Sequence, residues 1–136
     1  MLRQASDGSI TLPAIEARLN GSEIKYEAGP HRDNIGYWMN PADWAEWDLK
    51  IERPGKFEII GEVAGLDGAS LEVSAGKSSV KGTVASTGDW GKFETTKFGT
   101  LEIPAAGKVT VAVRPVKENW HPLNLKVLRL VPVAQP

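Results

Sequence analysis

The chain contains no cysteine among its 136 residues, so it has neither a disulfide framework nor thiol chemistry. Its two histidines, His31 and His121, are far apart in sequence and show no metal-ligand spacing. No apolar run approaches the roughly 18 residues that span a bilayer. Residues 1–9 also lack the apolar stretch of a signal peptide. These absences exclude a thiol enzyme and predict no membrane partner.

The chain has no excess of charge of one sign, since 16 basic residues balance 17 acidic residues. A net charge of -1 gives no electrostatic reason to expect nucleic acid or an anionic membrane as partner. The chain has no nucleophile elbow, no phosphate-binding glycine loop and no calcium-binding loop. The carboxylates of Glu46, Asp48, Glu58 and Glu62 fall on the polar side of an alternating pattern, where a solvated face is expected. We therefore predict no enzyme activity and no cofactor.

Alternation of apolar and polar residues, typical of half-buried strands, dominates the chain. Two clear strands flank the Pro54-Gly55 turn, one ending at Ile51 and one beginning at Phe57, and we predict that they pair antiparallel. The only window that favours a helix is 13–20, which Gly21 would end. Further strands are predicted at 10–12, 24–26, 70–74, 80–84, 93–98, 100–104, 109–113 and 125–131.

This pattern of about eight to ten short strands with frequent turn signals predicts an all-β, antiparallel two-sheet sandwich. The length fits a single domain. We expect the sandwich to span residues 10–131, after an N-terminal extension at 1–9 and before a tail or linker at 132–136.

Aromatic side chains are few but grouped, since three of five tryptophans lie between residues 38 and 47. Trp47 shares the inward parity of its strand and is predicted to lie in the core. Trp44 has the opposite parity, so the outer face and a covered edge both remain open for it. Tyr37, Trp90 and Trp120 lie in predicted turns, where each ring either caps the sandwich or stacks on a ligand. Flat rings match the apolar faces of pyranose sugars, and amide or carboxylate groups bind the hydroxyls.

The order of these motifs resembles a known pattern that extends from about Ile10 to Val131. The motifs are Gly36-Tyr37-Trp38, Ala42-Asp43-Trp44-Ala45-Glu46-Trp47, Pro54-Gly55-Lys56-Phe57, Thr87-Gly88-Asp89-Trp90, Ala106-Gly107-Lys108-Val109-Thr110 and Asn124-Leu125. In this order they resemble the β-sandwich carbohydrate-binding modules of families 6 and 35. They are more closely similar to related C-terminal modules attached to bacterial sulfatases and glycoside hydrolases.

The resemblance implies a galactose-binding-like jelly roll with a sugar site in the loops at one end. Tyr37 and Trp90 would clamp the sugar between their rings, and Asn124 would hydrogen-bond it. Trp120 and His121 have no strict counterpart in the family, but they lie in the adjacent loop and would extend the site. Trp38 stands where the family usually has a branched aliphatic core residue, so we expect it to be structural.

One departure from the family concerns its structural calcium. The family often binds the ion through a Glu-Ala-Glu motif and an aspartate two residues after the asparagine. This chain has Pro13-Ala14-Ile15 and Lys126 at those positions. Apolar and cationic side chains offer no oxygen ligands to a hard cation. We therefore predict no metal there.

The resulting hypothesis is a non-catalytic carbohydrate-binding module of a bacterial enzyme. Its partners would be a poly- or oligosaccharide and the catalytic domain of its parent, and the parent would be extracellular or periplasmic. The alternative is a structural or docking accessory domain without independent sugar binding, because a fold alone does not fix function. An enzyme in its own right is a third possibility without positive support in the sequence.

Overall fold

The chain folds into two packed β-sheets. The computed structural model describes residues 1–134. The strands, in chain order, are β1 (Leu2–Arg3), β2 (Ile10–Pro13), β3 (Arg18–Asn20), β4 (Lys25–Glu27), β5 (Asn34–Gly36), β6 (Trp44–Ile51), β7 (Gly55–Gly65), β8 (Ala69–Ala75), β9 (Ser78–Val84), β10 (Asp89–Ile103), β11 (Gly107–Pro115) and β12 (Asn124–Pro132). A 3-10 helix at Ala14–Glu16 joins β2 to β3. Among the described residues no helix is long and apolar enough to cross a membrane.

The first sheet has the strand order β1-β6-β11-β8-β9, and β3 also pairs with β6. The second has the order β10-β7-β12-β5-β4, and β2 also pairs with β12. The pairings are antiparallel apart from that of β1 with β6, which is parallel. This architecture confirms the predicted all-β, two-sheet jelly-roll sandwich.

The predicted pairing of the two clearest strands is wrong. β6 lies in the first sheet beside β11, whereas β7 lies in the second between β10 and β12. The Pro54-Gly55 segment therefore crosses from one sheet to the other and does not close a hairpin. Alternation identifies the buried face of a strand, and two strands that face each other across the core show the same alternation as two that pair.

Several short elements also differ from the sequence predictions. The window 13–20 forms one 3-10 turn and then β3, without an α-helix. The predicted strands 93–98 and 100–104 form the single strand β10, which ends at Ile103 and has a register shift between Lys97 and Gly99. Strand β1 lies within residues 1–9, so the expected extension adds a strand to the first sheet. At the other end Pro132 closes β12, and residues 135–136 of the expected tail lie outside the described residues.

The core fills with the inward side chains of both sheets. Trp47 is buried, and its Nε1 donates to Pro13 O at 2.9 Å. Trp38 is also fully buried, as predicted for both tryptophans. Trp44 is half-buried on the outer face of β6, where the Arg114 guanidinium lies 5.0 Å from its ring centroid. Of the two positions that the sequence left open for Trp44, the structure therefore shows the outer face.

Arg18 links β3 to the outer face of β6. Its Nε donates to Glu46 Oε1 at 2.8 Å and its Nη1 to Asp48 Oδ2 at 3.0 Å, while the Thr110 hydroxyl donates to Asp48 Oδ1 at 2.8 Å. The Arg18 guanidinium, followed by the Thr110 hydroxyl, holds the pKa of Asp48 well below its usual range. The same guanidinium lowers the pKa of Glu46.

We expect this network to make the protein sensitive to acid. A carboxyl group with a lowered folded-state pKa stabilises the fold above its unfolded pKa, about 3.9 for aspartate. That contribution is lost as the pH falls through the folded-state pKa of Asp48. Arg18→Met should therefore flatten the fall in unfolding free energy below about pH 4, measured by urea unfolding across that range. An acid dependence identical to that of the wild type would contradict this assignment.

Candidate binding cleft

A cleft of about 460 Å³ opens at one end of the sandwich. It lies between β4, the loop from β4 to β5, the turn after β5, the start of β10 and the segment that leads into β12. Its lining consists of Glu27, Pro30, His31, Arg32, Asn34, Tyr37, Met39, Trp90, Gly91, Pro122, Leu123 and Asn124. The volume is in the range typical of small-molecule sites.

Exposed apolar side chains form much of this lining. Tyr37 is 57% exposed, Met39 56% and Trp90 44%. Burying such large rings against a ligand releases apolar surface from water. The Lys25 ammonium also lies 5.5 Å from the centroid of the Tyr37 ring. The cleft therefore offers apolar surfaces, two of them aromatic rings, that the fold leaves about half exposed.

Tyr37 is presented by an unfavourable backbone conformation. It directly follows β5 and has φ of 52°, in the left-handed region that residues other than glycine, asparagine and aspartate rarely adopt. For a bulky residue this conformation costs roughly 1–2 kcal/mol. Such strain persists only where the surrounding structure enforces it, and it clusters at functional sites.

Trp90 is presented by an irregular opening of β10. Asp89 pairs with Gly65 of β7, and regular pairing resumes only with Glu94 opposite Val63. In between, the Asp89 carboxylate accepts a hydrogen bond from Gly91 N at 2.7 Å, an Asx-type turn that encloses Trp90. The side chain of Asn124 donates to Trp90 O at 2.9 Å. The ring is thus held on a fixed turn at the edge of the cleft.

Polar oxygens lie at the bottom of the cleft. Asn34 is only 2% exposed, and its amide donates to Glu27 Oε1 at 3.1 Å. Gly36 lies beside them, and a Cβ atom at this position would overlap Glu27 Oε1 and crowd Asn124 Oδ1. The missing side chain therefore leaves a space that a carboxylate oxygen and an amide oxygen both border. Both are hydrogen-bond acceptors, which suits a ligand rich in hydroxyl groups.

The loop from β4 to β5 forms one lip of the cleft and is tied down at several points. Asp33 N donates to Glu27 O at 2.9 Å, and Lys126 Nζ donates to Arg32 O at 2.6 Å. The Tyr26 hydroxyl donates to the Asp33 carboxylate, and this hydrogen bond raises the pKa of Tyr26. The Arg32 side chain is largely exposed, and its Nη1 lies 3.9 Å from Glu27 Oε2. The lip is therefore organised before any ligand arrives.

The structure brings together three of the five predicted site residues, since Tyr37, Trp90 and Asn124 all line the cleft. Trp120 and His121 do not line it. Trp120 is half-buried and donates through Nε1 to Trp38 O at 2.8 Å, and His121 Nδ1 lies 3.0 Å from Gly68 O. We assign neither residue a direct ligand contact.

Sequence reasoning missed Glu27 and Asn34, which face each other as register partners in β4 and β5. Each strand has three residues, too few for alternation to reveal an inward polar position. The one signal in the sequence was the asparagine at position 34, a polar residue directly before Ile35 and Gly36 in a short strand. Within residues 1–134, no group of three or more histidine, aspartate or glutamate side chains is placed to hold a metal ion.

Solved structures share this arrangement of strands at low sequence identity. A GH26-CBM35 β-(1,4)-mannanase of Podospora anserina matches with a TM-score of 0.76 and 16% identity over 96% of this chain and 29% of the mannanase chain. The C-terminal CBM6 of LamC, a marine laminarinase from Zobellia galactanivorans, matches with a TM-score of 0.72 and 19% identity over 90% of this chain and 98% of that module. The insecticidal crystal protein Cry2Aa matches with a TM-score of 0.75 and 15% identity over 96% of this chain and 22% of its own.

The fold is therefore that of the family 6 and family 35 carbohydrate-binding modules, which confirms the resemblance at the level of architecture. Sequence comparison finds no protein-family model and no curated protein that matches the chain. Because an insecticidal crystal protein shares the fold, the fold alone carries no function.

Proposed function

We propose that this chain is a non-catalytic carbohydrate-binding module that holds a sugar ring in the cleft between Tyr37 and Trp90. The observation that carries the proposal is one cleft whose lining combines two exposed aromatic rings with the acceptor oxygens of Glu27 and Asn124. The rings would cover the apolar faces of a pyranose. The oxygens of Glu27 and Asn124 would accept hydrogen bonds from its hydroxyl groups.

The expected affinity is modest. Stacking on each aromatic ring contributes roughly 1 kcal/mol beyond area burial, and hydrogen bonds to a charged group contribute about 1.5–3 kcal/mol. Association entropy and the desolvation of sugar hydroxyls offset much of this gain. We expect dissociation constants of about 10 µM to 1 mM for a short oligosaccharide. Such a site suits a module that keeps an attached enzyme near its polymer.

The biological setting is part of the proposal. The partners would be a poly- or oligosaccharide and the catalytic domain of a parent enzyme exported to the periplasm or the extracellular space. Two structures of the same fold support this setting, because one is part of a mannanase chain and the other is a module of a laminarinase. A sulfatase as parent enzyme stays a prediction from the sequence.

Trp90→Ala tests the proposal, with Trp44→Ala as matched control. Both changes remove one solvent-accessible tryptophan ring, but Trp44 lies on the outer face of β6, away from the cleft. In a screen of glycans and polysaccharides followed by calorimetric titration, Trp90→Ala should weaken binding at least about 30-fold. Trp44→Ala should bind like the wild type. Equal binding by wild type and Trp90→Ala would refute the site assignment.

A docking role is the second candidate, favoured by Met39. This flexible, exposed side chain lines the same cleft as the two rings and suits an adaptable protein interface better than a sugar face. In that case the wild type should bind none of the glycans or polysaccharides in the screen. Trp90 would then be protected from solvent quenching of its fluorescence in the full-length enzyme and exposed in the isolated chain. A sugar-binding wild type with an accessible Trp90 in the full-length enzyme would exclude the docking role.

A further inference from the structure

The left-handed conformation of Tyr37 persists only if the backbone is held in place both before and after this residue. On its N-terminal side, β5 fixes the backbone, because Gly36 pairs with Lys25 and Ile35 pairs with both Tyr26 and Leu125. Strand pairing ends at Gly36, so it does not hold the peptide beyond Tyr37. A left-handed tyrosine would relax toward an extended conformation if that peptide were free to turn. Something must therefore hold Trp38.

Trp38 is held at both its side chain and its backbone. Its ring is fully buried, and its Nε1 donates to Asp43 O at 2.8 Å. Its own carbonyl oxygen accepts a hydrogen bond of 2.8 Å from Trp120 Nε1. The two indole rings meet edge to face, with centroids 5.8 Å apart and an angle of 62° between the planes. Trp120 thus contacts Trp38 through both packing and a hydrogen bond.

Asp43 anchors the other end of this chain of contacts. Its carboxylate is buried and accepts hydrogen bonds from the backbone N–H groups of Ser22, Glu23 and Ile24. These residues lead directly into β4, which carries Glu27. The buried network therefore connects the segments that present Tyr37 and Glu27.

We infer that Trp120 is a positioning residue, which holds Tyr37 in its left-handed conformation through the Trp38 carbonyl and so aligns its ring with the cleft. The effect on sugar binding rests on the proposed function, whereas the effect on the Tyr37 backbone does not. Trp120 would act without touching the ligand, by fixing the peptide between Trp38 and Met39 and so restraining the backbone that follows Tyr37. Preorganisation of this kind raises affinity by lowering the ordering cost of binding.

Trp120→Phe tests the inference, because it keeps a ring against Trp38 and removes the N–H donor. Trp47→Phe is the matched control, since it removes a comparable hydrogen bond from a buried indole to Pro13 O, away from the cleft. The first readout is the pair of ¹³Cα and ¹³Cβ chemical shifts of Tyr37, which report its backbone conformation without any ligand. We expect them to move toward extended values in Trp120→Phe and to stay unchanged in Trp47→Phe. Unchanged Tyr37 shifts in folded Trp120→Phe would overturn the inference.

The second readout is affinity for the best glycan of the screen. Trp120→Phe should weaken binding about threefold to tenfold, the equivalent of one hydrogen bond, and Trp47→Phe should not. Moved Tyr37 shifts with unaltered affinity would overturn the role in binding. A wild type that binds no glycan would refute the proposed function, and the chemical shifts would still decide whether Trp120 positions Tyr37. If Trp120→Phe fails to fold, Trp120→Met removes the same donor with a more adaptable side chain.

Discussion

Replacing Tyr37 with glycine should abolish sugar binding and at the same time stabilise the fold by about 1 kcal/mol. The stabilisation follows from the φ of 52°, which glycine adopts without the steric cost that tyrosine pays. The greater freedom of glycine in the unfolded chain offsets part of the gain. Little burial is lost, since the tyrosine side chain is 57% exposed. Calorimetric titration and urea unfolding measure the two effects separately.

Two further substitutions separate the ring from the backbone. Tyr37→Ala should lose binding without the gain in stability, because alanine keeps a Cβ atom in the left-handed conformation. Tyr37→Phe should retain the stacking surface and most of the affinity. If Tyr37→Gly destabilised the domain, the strain argument would be wrong. If it bound glycan as tightly as the wild type, the ring would have no part in the site.

Removing the Asp43 carboxylate should cause the largest loss of stability. Asp43→Ala leaves the three N–H groups of residues 22–24 without their acceptor, and the N–H of Ile24 is buried while those of Ser22 and Glu23 are partly buried. A buried unsatisfied donor costs roughly 1–3 kcal/mol, and the two partly buried donors cost less because water can reach them, so we expect a loss of about 2–4 kcal/mol. That is a large share of the roughly 5–15 kcal/mol that stabilises a domain of this kind. The urea midpoint should fall accordingly.

Asp67→Ala is the control for this change, because Asp67 is an exposed carboxylate in the loop after β7. Its removal should alter stability by less than about 0.5 kcal/mol. The position of Gly21 supports the account, since a Cβ atom there would overlap the Asp43 carboxylate. Equal urea midpoints for the Asp43→Ala and Asp67→Ala variants would show that water replaces the carboxylate without cost.

The sequence supported strand positions and burial better than strand pairing. Alternation placed Trp47 in the core because successive side chains of a strand point to opposite faces, one toward the core and one toward water. It failed for β6 and β7, because a partner in the same sheet and a facing strand in the other sheet impose the same pattern. Strands of two or three residues, such as β1, β3 and β5, are too short to show any period. Their existence depends on neighbours distant in sequence.

The cleft was predictable only in part for a related reason. The predicted turns and the resemblance to a family both pointed to Tyr37 and Trp90, the resemblance alone pointed to Asn124, and all three line the cleft. Trp120 has the same loop-like surroundings in sequence, yet its indole points to the Trp38 carbonyl. Glu27 enters the cleft only because Gly36 leaves room for its carboxylate. Neither relation is local, so no pattern along the chain reveals it.

The central claim is that a sugar binds between Tyr37 and Trp90, and the five indole N–H signals of the protein test it most directly. A titration of the ¹⁵N-labelled protein with the best glycan of the screen follows all five at once. The account predicts a large, saturable shift for Trp90, small shifts for Trp38 and Trp120 behind the cleft, and none for Trp44 and Trp47. A saturable shift of Trp44 with Trp90 unmoved would contradict the account and place the sugar on the outer face of β6.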